Sequence, residues 1–215
     1  MFTGLIQEIG TIERRSPQGA DLALAIRAAR LAPSLRVGES IAVDGVCLTV
    51  EKQTGESFCV YASPETLSRT TLGQRREGEG VNLEPPLALG DRLGGHLVLG
   101  HVDGLGRFVR SERKGQSWEM TFEAPPTVAP YLIEKGSVAV DGISLTCFDL
   151  RDNTFTVAII PHTWDATTLH RRKIGDAVNL EADMIGKYVA RQLGLAAERP
   201  SERVTRKLLE RSGFL

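Results

Sequence analysis

Cysteine is scarce in this chain of 215 residues: there are three, Cys47, Cys59 and Cys147, with no C-x-x-C pair among them. An odd count without close pairing excludes a disulfide framework and a zinc knuckle, and it points to free thiols in a reducing, cytoplasmic setting. Aromatic residues make up only 6%. No apolar run approaches the ~18 residues of a spanning helix. The opening stretch MFTGLIQEIGTIERRSPQGA lacks the basic start and apolar block of a secretory signal. Neither sign of charge dominates, since 26 Lys+Arg face 27 Asp+Glu. That balance removes the electrostatic case for nucleic acid or a membrane surface as partner. Nucleotide and hydrolase signatures are also missing: no G-x-G-x-x-G between strand and helix, no Walker loop, no H-E-x-x-H and no G-x-S-x-G. His96 and His101, five apart, fall on opposite faces of a strand with no ligand cluster beside them, so no metal site is expected.

What the chain does have is itself, twice. Ser40–Val50 reads SIAVDGVCLTV and Ser137–Cys147 reads SVAVDGISLTC, with seven of eleven positions identical at an offset of 97. The same offset aligns PETLSRTTL from Pro64 with PHTWDATTL from Pro161, and Val81-Asn82-Leu83-Glu84 with Val178-Asn179-Leu180-Glu181. Two copies at so long a period describe a duplicated domain rather than a solenoid, with the seam near Gly94-Gly95.

Within each copy the apolar period is two, as in Leu22-x-Leu24-x-Ile26 and Phe155-x-Val157-x-Ile159. Asp44-Gly45 and Asp141-Gly142 are two-residue hairpin signals between apolar runs. Each copy then holds about six short strands, in the first near 5–12, 22–28, 40–44, 46–51, 57–62 and 80–84. A sheet that small gains by closing on itself, because closure removes exposed edges. The expected fold is all-β: two tandem six-stranded barrels, residues 1–96 and 97–186, with a helical segment over 187–215. Met184, Ile185, Tyr188, Val189 and Leu193 recur at helical spacing and predict a helix over 184–196. Pro200-Ser201 opens a second helical stretch carrying Val204, Leu208 and Leu209. That stripe serves either to cover a barrel end or to meet another subunit.

The informative polar residues are those repeated where a barrel needs only apolar ones. Cys47 corresponds to Ser144, Thr49 to Thr146 and Thr66 to Thr163. Strand propensity accounts for a threonine taken singly. The Cys47/Ser144 exchange says more, because each follows a D-G turn and carries a small nucleophilic or hydrogen-bonding group. Matching polar pockets on a duplicated barrel suit two copies of one ligand.

Taken together, MFTGLIQ at the start, the doubled D-G-x-[CS]-L-T, P-E-T-L…T-T-L-G, and G-G-H-L…G-H resemble the homotrimeric, lumazine-dismutating riboflavin synthases over about residues 1–186. The resemblance implies two Greek-key barrels, a C-terminal helix at the trimer core, and no metal or redox cofactor. It leaves open association with a lumazine synthase shell. The implied reaction exchanges a four-carbon unit between two molecules of 6,7-dimethyl-8-ribityllumazine, giving riboflavin and 5-amino-6-ribitylaminouracil. It also implies site residues. Gly4, Leu5 and Ile6 touch one ring with Phe2 nearby, and Cys47, Leu48 and Thr49 line the same first-barrel pocket with Tyr61, Ala62, Ser63, Pro64, Glu65 and Thr66. In the second copy Ser144, Leu145 and Thr146 match, joined by Ala158, Ile159, Ile160, Pro161, His162 and Thr163. Gly100, His101 and Val102 occupy the place of Gly4 to Ile6, with His101 the candidate for proton transfer. Lys135 and Asp183 fall near ribityl hydroxyls or developing charge. Cys47, His101, Ser144 and Phe2 form the expected catalytic set. His162 departs from the repeated glutamate, which puts ribityl contacts of the second barrel in question, and Trp164 reads as bulkier packing.

Two other classes compete. A relative of this kind that carries lumazine or flavin without turnover would keep the barrels; retention of Phe2, Cys47, His101, Lys135 and Ser144 together favours catalysis. A flavin or nicotinamide oxidoreductase would need a separate nucleotide domain, for which 184–215 is too short.

Overall fold

The computed structural model describes residues 1–194. The alternation of apolar and polar residues produces twelve strands, six per copy. In the first copy these are β1 (Glu8–Gln18), β2 (Asp21–Arg27), β3 (Ser40–Val43), β4 (Val46–Thr54), β5 (Ser57–Ala62) and β6 (Gly80–Glu84). In the second they are β7 (Gly104–Lys114), β8 (Ser117–Glu123), β9 (Ser137–Val140), β10 (Ile143–Arg151), β11 (Thr154–Ile159) and β12 (Ala177–Ala182). Each set closes into an antiparallel barrel with the same neighbour order, β1-β2-β5-β4-β3-β6 and β7-β8-β11-β10-β9-β12. The expected all-β architecture and its duplication hold.

Two boundaries differ from expectation. β1 begins at Glu8 rather than near residue 5, because Met1–Gln7 leaves its own barrel. It then runs on to Gln18, past a bulge between Ile12 and Arg14. β7 carries the matching bulge between Phe108 and Arg110. One-turn helices α1 (Pro64–Arg69) and α2 (Pro161–Ala166), which period-two patterning does not reveal, follow β5 and β11. A proline at the first turn of each presets the backbone for a helix start.

The D-G hairpins form as the sequence requires. Asp44 and Gly45 lie at φ 46° and 76°, and Asp141 and Gly142 at 46° and 80°, the left-handed pair of a type I′ turn. Their glycines stand back to back across a local two-fold axis: a Cβ on Gly45 would sit 2.5 Å from the Gly142 nitrogen. Around them the barrels exchange hydrogen bonds symmetrically. Asn82 Nδ2 donates to Asp141 O (3.0 Å) and Asn179 Nδ2 donates to Asp44 O (2.8 Å). Asp44 is paired with Arg75 at 2.6 Å and Asp141 with Arg172, both carboxylates fully buried. Burial pushes the Asp44 carboxyl upward, against the pull of Arg75. Each barrel encloses its own apolar core, one around Leu24, Phe58 and Leu83, the other around Phe122, Phe155 and Leu180. A third cluster of Phe2, Ala42, Val98 and Ala139 lies between them.

After β12 the chain turns into α3 (Met184–Gln192), capped by the Asp183 side chain accepting from Ile185 N. The expected continuation to 196 fails because Gly194, at φ 67°, turns the chain left-handed at the helix end. The second helical stretch from Pro200 lies outside the described residues. No helix among the described residues is long and apolar enough to cross a membrane.

Candidate functional site

The stretches before β1 and β7 decide the geometry of the site. Phe2 pairs with Val98 in an isolated antiparallel bridge, with N–H···O distances of 2.7 and 3.1 Å. From that crossing, each stretch lies as a strap on the other barrel. Ser144 N donates to Gly4 O at 2.8 Å, and Cys47 N donates to Gly100 O at 2.9 Å. Gly4 and Gly100 have φ of 76° and 78°, and a Cβ on either would come within 2.6 Å of the Ser144 or Cys47 Cβ. Only glycine lets the strap come so close. Ile6 packs on the second barrel's core and Val102 on the first's.

Two half-sites result, each made by both copies. One joins Cys47 and Thr49 on β4 to the strap Gly100-His101-Val102. The other joins Ser144 and Thr146 on β10 to the strap Gly4-Leu5-Ile6. In β4 and β10 the burial alternates, so Cys47, Thr49, Ser144 and Thr146 face outward while Leu48 and Leu145 point into the barrel cores. Ala62 and Ile159 are likewise buried in the cores, leaving only their main chains for a ligand.

The half-sites differ chemically. His96 Nδ1 lies 2.7 Å from Ser144 Oγ. The ring is buried, which lowers its pKa below the ordinary histidine value, with the nearby Asp183 charge opposing. It is therefore neutral near pH 7, and Nδ1 shares a hydrogen bond with the serine hydroxyl. Nε2 itself is buried, with no partner among the described residues. Among the described residues no histidine is hydrogen-bonded to the Cys47 thiol. Lys135 introduces a second difference: it adopts φ 65°, where the first copy has Gly38 at 87°. A non-glycine residue there costs about 1 kcal/mol, a strain tolerated where it places a side chain usefully. The Lys135 Nζ lies 5.1 Å from the Phe148 ring centre.

The chain matches the lumazine binding domain twice, over residues 3–85 and 99–183. It is 42% identical over 215 residues to the riboflavin synthase of Bacillus subtilis, covering 100% of both chains. Against the riboflavin synthase of Actinobacillus pleuropneumoniae it is 40% identical over 215 residues, again covering 100% of both. The chain belongs to the riboflavin synthase family. Its fold is also that of LumP, in crystal structures with riboflavin (TM-score 0.79, 21% identity) and with 6,7-dimethyl-8-(1'-D-ribityl) lumazine (0.77, 20%). Each alignment covers 85% of this chain and 99% of that one.

Several residues that the riboflavin synthase resemblance singled out stand differently from expectation. Gly4 to Ile6 do not join Cys47 but Ser144, and Gly100 to Val102 do not join Ser144 but Cys47, because the straps cross. Phe2 is 0% exposed in the inter-barrel cluster against which Cys47 packs, and it pins the crossing of the straps. His96 and His101 do not lie on opposite faces of a strand, since their segment forms no strand beyond the Val98 bridge. His101 is exposed and held by its backbone.

Ser63 caps α1 by accepting from Thr66 N at 3.2 Å, and Glu65 is paired with Arg69 along that helix. The second barrel has no such cap, as Ile160 takes the place of Ser63. His162 and Pro161 there are exposed, with Thr163 half-buried beside them and Ala158 and Tyr61 on the outer faces of their strands. Trp164 stacks on Trp118 with ring centres 4.1 Å apart, which fits a packing role.

The residues that sequence reasoning missed are His96 and the carboxylates of the repeated V-N-L-E windows. Glu84 accepts from Thr3 N, Thr3 Oγ1 and Gly4 N, and Glu181 from Leu99, Gly100 and His101 N. Their signal was present, because both windows are identical, yet a repeated carboxylate inside a strand looks like any other repeated residue.

Proposed function

We propose that the protein is a riboflavin synthase that dismutates two 6,7-dimethyl-8-ribityllumazines to riboflavin and 5-amino-6-ribitylaminouracil. The observation that carries the reading is the pair of half-sites: alike in frame, each assembled from both barrels, but unlike in reactive groups. Identical substrates that play opposite parts, one donating and one accepting four carbons, call for that arrangement.

The ring methyl at C7 is acidic because its anion delocalises into the heterocycle. A neutral His96 polarises the Ser144 hydroxyl, so this pair serves to handle protons in one half-site, with a gain of the order of 10²–10⁴ for a placed acid–base group. Cys47 offers the other half-site a nucleophile or hydrogen bond for the accepting lumazine, and His101 lies on the strap beside it. Lys135 and Asp183 supply charge for the ribityl chain or for the developing anion. Holding both rings in reacting order supplies much of the remaining rate.

The half-sites are outer barrel faces, covered on one side only. A homotrimer in which the first barrel of one subunit faces the second barrel of the next would close them. α3 supports such an assembly: Ile185, Tyr188 and Val189 on it and Leu193 at its C-cap are 51–66% exposed. The three free cysteines support a cytoplasmic location.

The deciding experiment incubates purified protein with the lumazine alone and follows riboflavin. One riboflavin per two lumazines consumed is expected. Saturable binding without product would replace the enzyme reading by that of a lumazine- or flavin-carrying protein. Sedimentation should give three subunits, and removing residues 187–215 should give monomers of low activity.

A further inference from the structure

The two strap-holding carboxylates take no part in the chemistry above, yet each controls where a half-site group stands. We propose that Glu84 and Glu181 are crosswise positioning residues: each, on the last strand of its own barrel, fixes the strap that forms the half-site on the opposite barrel. The proposal rests on the half-sites as assigned above, and its geometry stands without them.

Glu181 Oε1 accepts from Leu99 N at 2.7 Å, while Oε2 accepts from Gly100 N at 2.9 Å and His101 N at 3.1 Å. Three successive main-chain donors thus close on one carboxylate. The Gly100 carbonyl, on the same strap, takes the Cys47 N–H at 2.9 Å. Glu84 does the same for the other strap, with Oε1 accepting from Thr3 N and Thr3 Oγ1 at 2.7 and 2.6 Å and Oε2 from Gly4 N at 2.9 Å. The Gly4 carbonyl takes the Ser144 N–H at 2.8 Å. Both carboxylates are buried, at 4% and 3% exposure, where leaving backbone donors unpaired is costly. A carboxylate accepts at both oxygens, whereas the amide of glutamine turns one of them into a donor facing another donor.

The two latches differ in their surroundings. Asp103, before β7, and Lys187 of α3 face Glu181, with Asp103 taking Lys187 Nζ at 2.8 Å and Ala182 N at 2.9 Å. Burial raises the Glu181 carboxyl to about 7, with Asp103 adding to the rise and Lys187 opposing it. Its grip on Leu99–His101 therefore weakens as pH falls through neutrality, on the half-site of Cys47 and His101. Glu84 is pushed upward by burial as well, against its hydrogen bonds from Thr3 and Gly4.

Cys47 gives a site-resolved readout. It and Cys59 are half-buried, while Cys147 is buried, so in a Cys59→Ser background Ellman's reagent reports mainly on Cys47. Glu181→Gln should speed that reaction about tenfold and lower kcat by at least about tenfold. Glu84→Gln should lower kcat similarly and leave the Cys47 reaction unchanged, because its strap lies over Ser144. Glu181→Asp, which keeps the charge one methylene short, serves if the amide variant does not fold. In the unmodified chain, hydrogen exchange at Leu99, Gly100 and His101, corrected for its intrinsic pH dependence, should lose protection below pH 7, and Glu181→Gln should abolish that dependence. A Cys47 reaction unchanged in Glu181→Gln, or altered equally by both variants, would overturn the proposal. Selective thiol exposure with turnover intact in both variants would uphold the latches and instead sink the assignment of the half-sites.

Discussion

The two barrels share a frame and diverge at their faces. Strand order, first-strand bulge, D-G hairpin, buried Asp–Arg pair, crossed asparagine and strap-holding glutamate all recur at equivalent places. Cys47 against Ser144 with His96, Gly38 against Lys135, and capped Ser63 against Ile160 do not. The hairpins, Asp–Arg pairs and crossed asparagines of the shared set lie at the two-fold contact, where a change in one copy misfits the other. The divergent groups stand at the half-sites and at the starts of the short helices. A duplicated chain thus keeps what must match and differentiates what must do different work.

That contrast predicts that frame substitutions act alike in both copies and face substitutions do not. The largest effect on stability should come from Arg75→Met and Arg172→Met. Each leaves a fully buried aspartate unpaired, at a cost of about 3–5 kcal/mol by the usual measure of broken buried pairs. Denaturant midpoints should fall by similar amounts in both variants, and a large inequality would break the symmetry argument.

Ser144→Ala and His96→Ala should each lower kcat by about a hundredfold, and the double variant should be no worse than either, as for groups acting in one unit. Cys47→Ala should lower turnover more than binding but by a smaller factor, since no histidine among the described residues is hydrogen-bonded to its thiol. Equal losses from Cys47 and Ser144 would mean that the half-sites are chemically equivalent after all.

The pH dependence sharpens the same contrast. Burial lowers the His96 pKa below 6.5, so the unfolded chain takes up a proton there that the folded ring resists. Measured against His96→Gln, the unmodified chain should lose stability and turnover as pH drops below about 6.5. Gly100→Ala and Gly4→Ala should each cost about 1–2 kcal/mol in stability, since both need a positive φ and a 2.6 Å approach. The first should weaken the Cys47 half-site and the second that of Ser144, as ligand titrations with riboflavin would show. The smallest effect belongs to Lys135→Gly. Relieving its left-handed backbone should raise the melting temperature slightly, worth under about 1 kcal/mol, while raising KM.

Much of the fold was legible because β-structure writes its rules locally. Period-two runs, D-G turns and a 97-residue offset require no knowledge of distant contacts. Helix α3 was legible for the same reason, although Gly194 ended it sooner. The grouping of site residues was not legible. Gly4 and Cys47 are in one copy, and the family resemblance places them in one pocket, but nothing local to either says that the strap leaves its barrel at Phe2 and crosses at Val98. The His96–Ser144 contact spans 48 residues and depends on the same crossing.

By itself the sequence determined the number of barrels, the strands and hairpins within them, and the residue types offered for chemistry, because these follow from side-chain periodicity and backbone preference. Only the tertiary structure decided which of those residues meet. Straps exchanged across a two-fold axis are held by long-range hydrogen bonds to buried carboxylates, and the pairing of such partners is a property of space rather than of order along the chain.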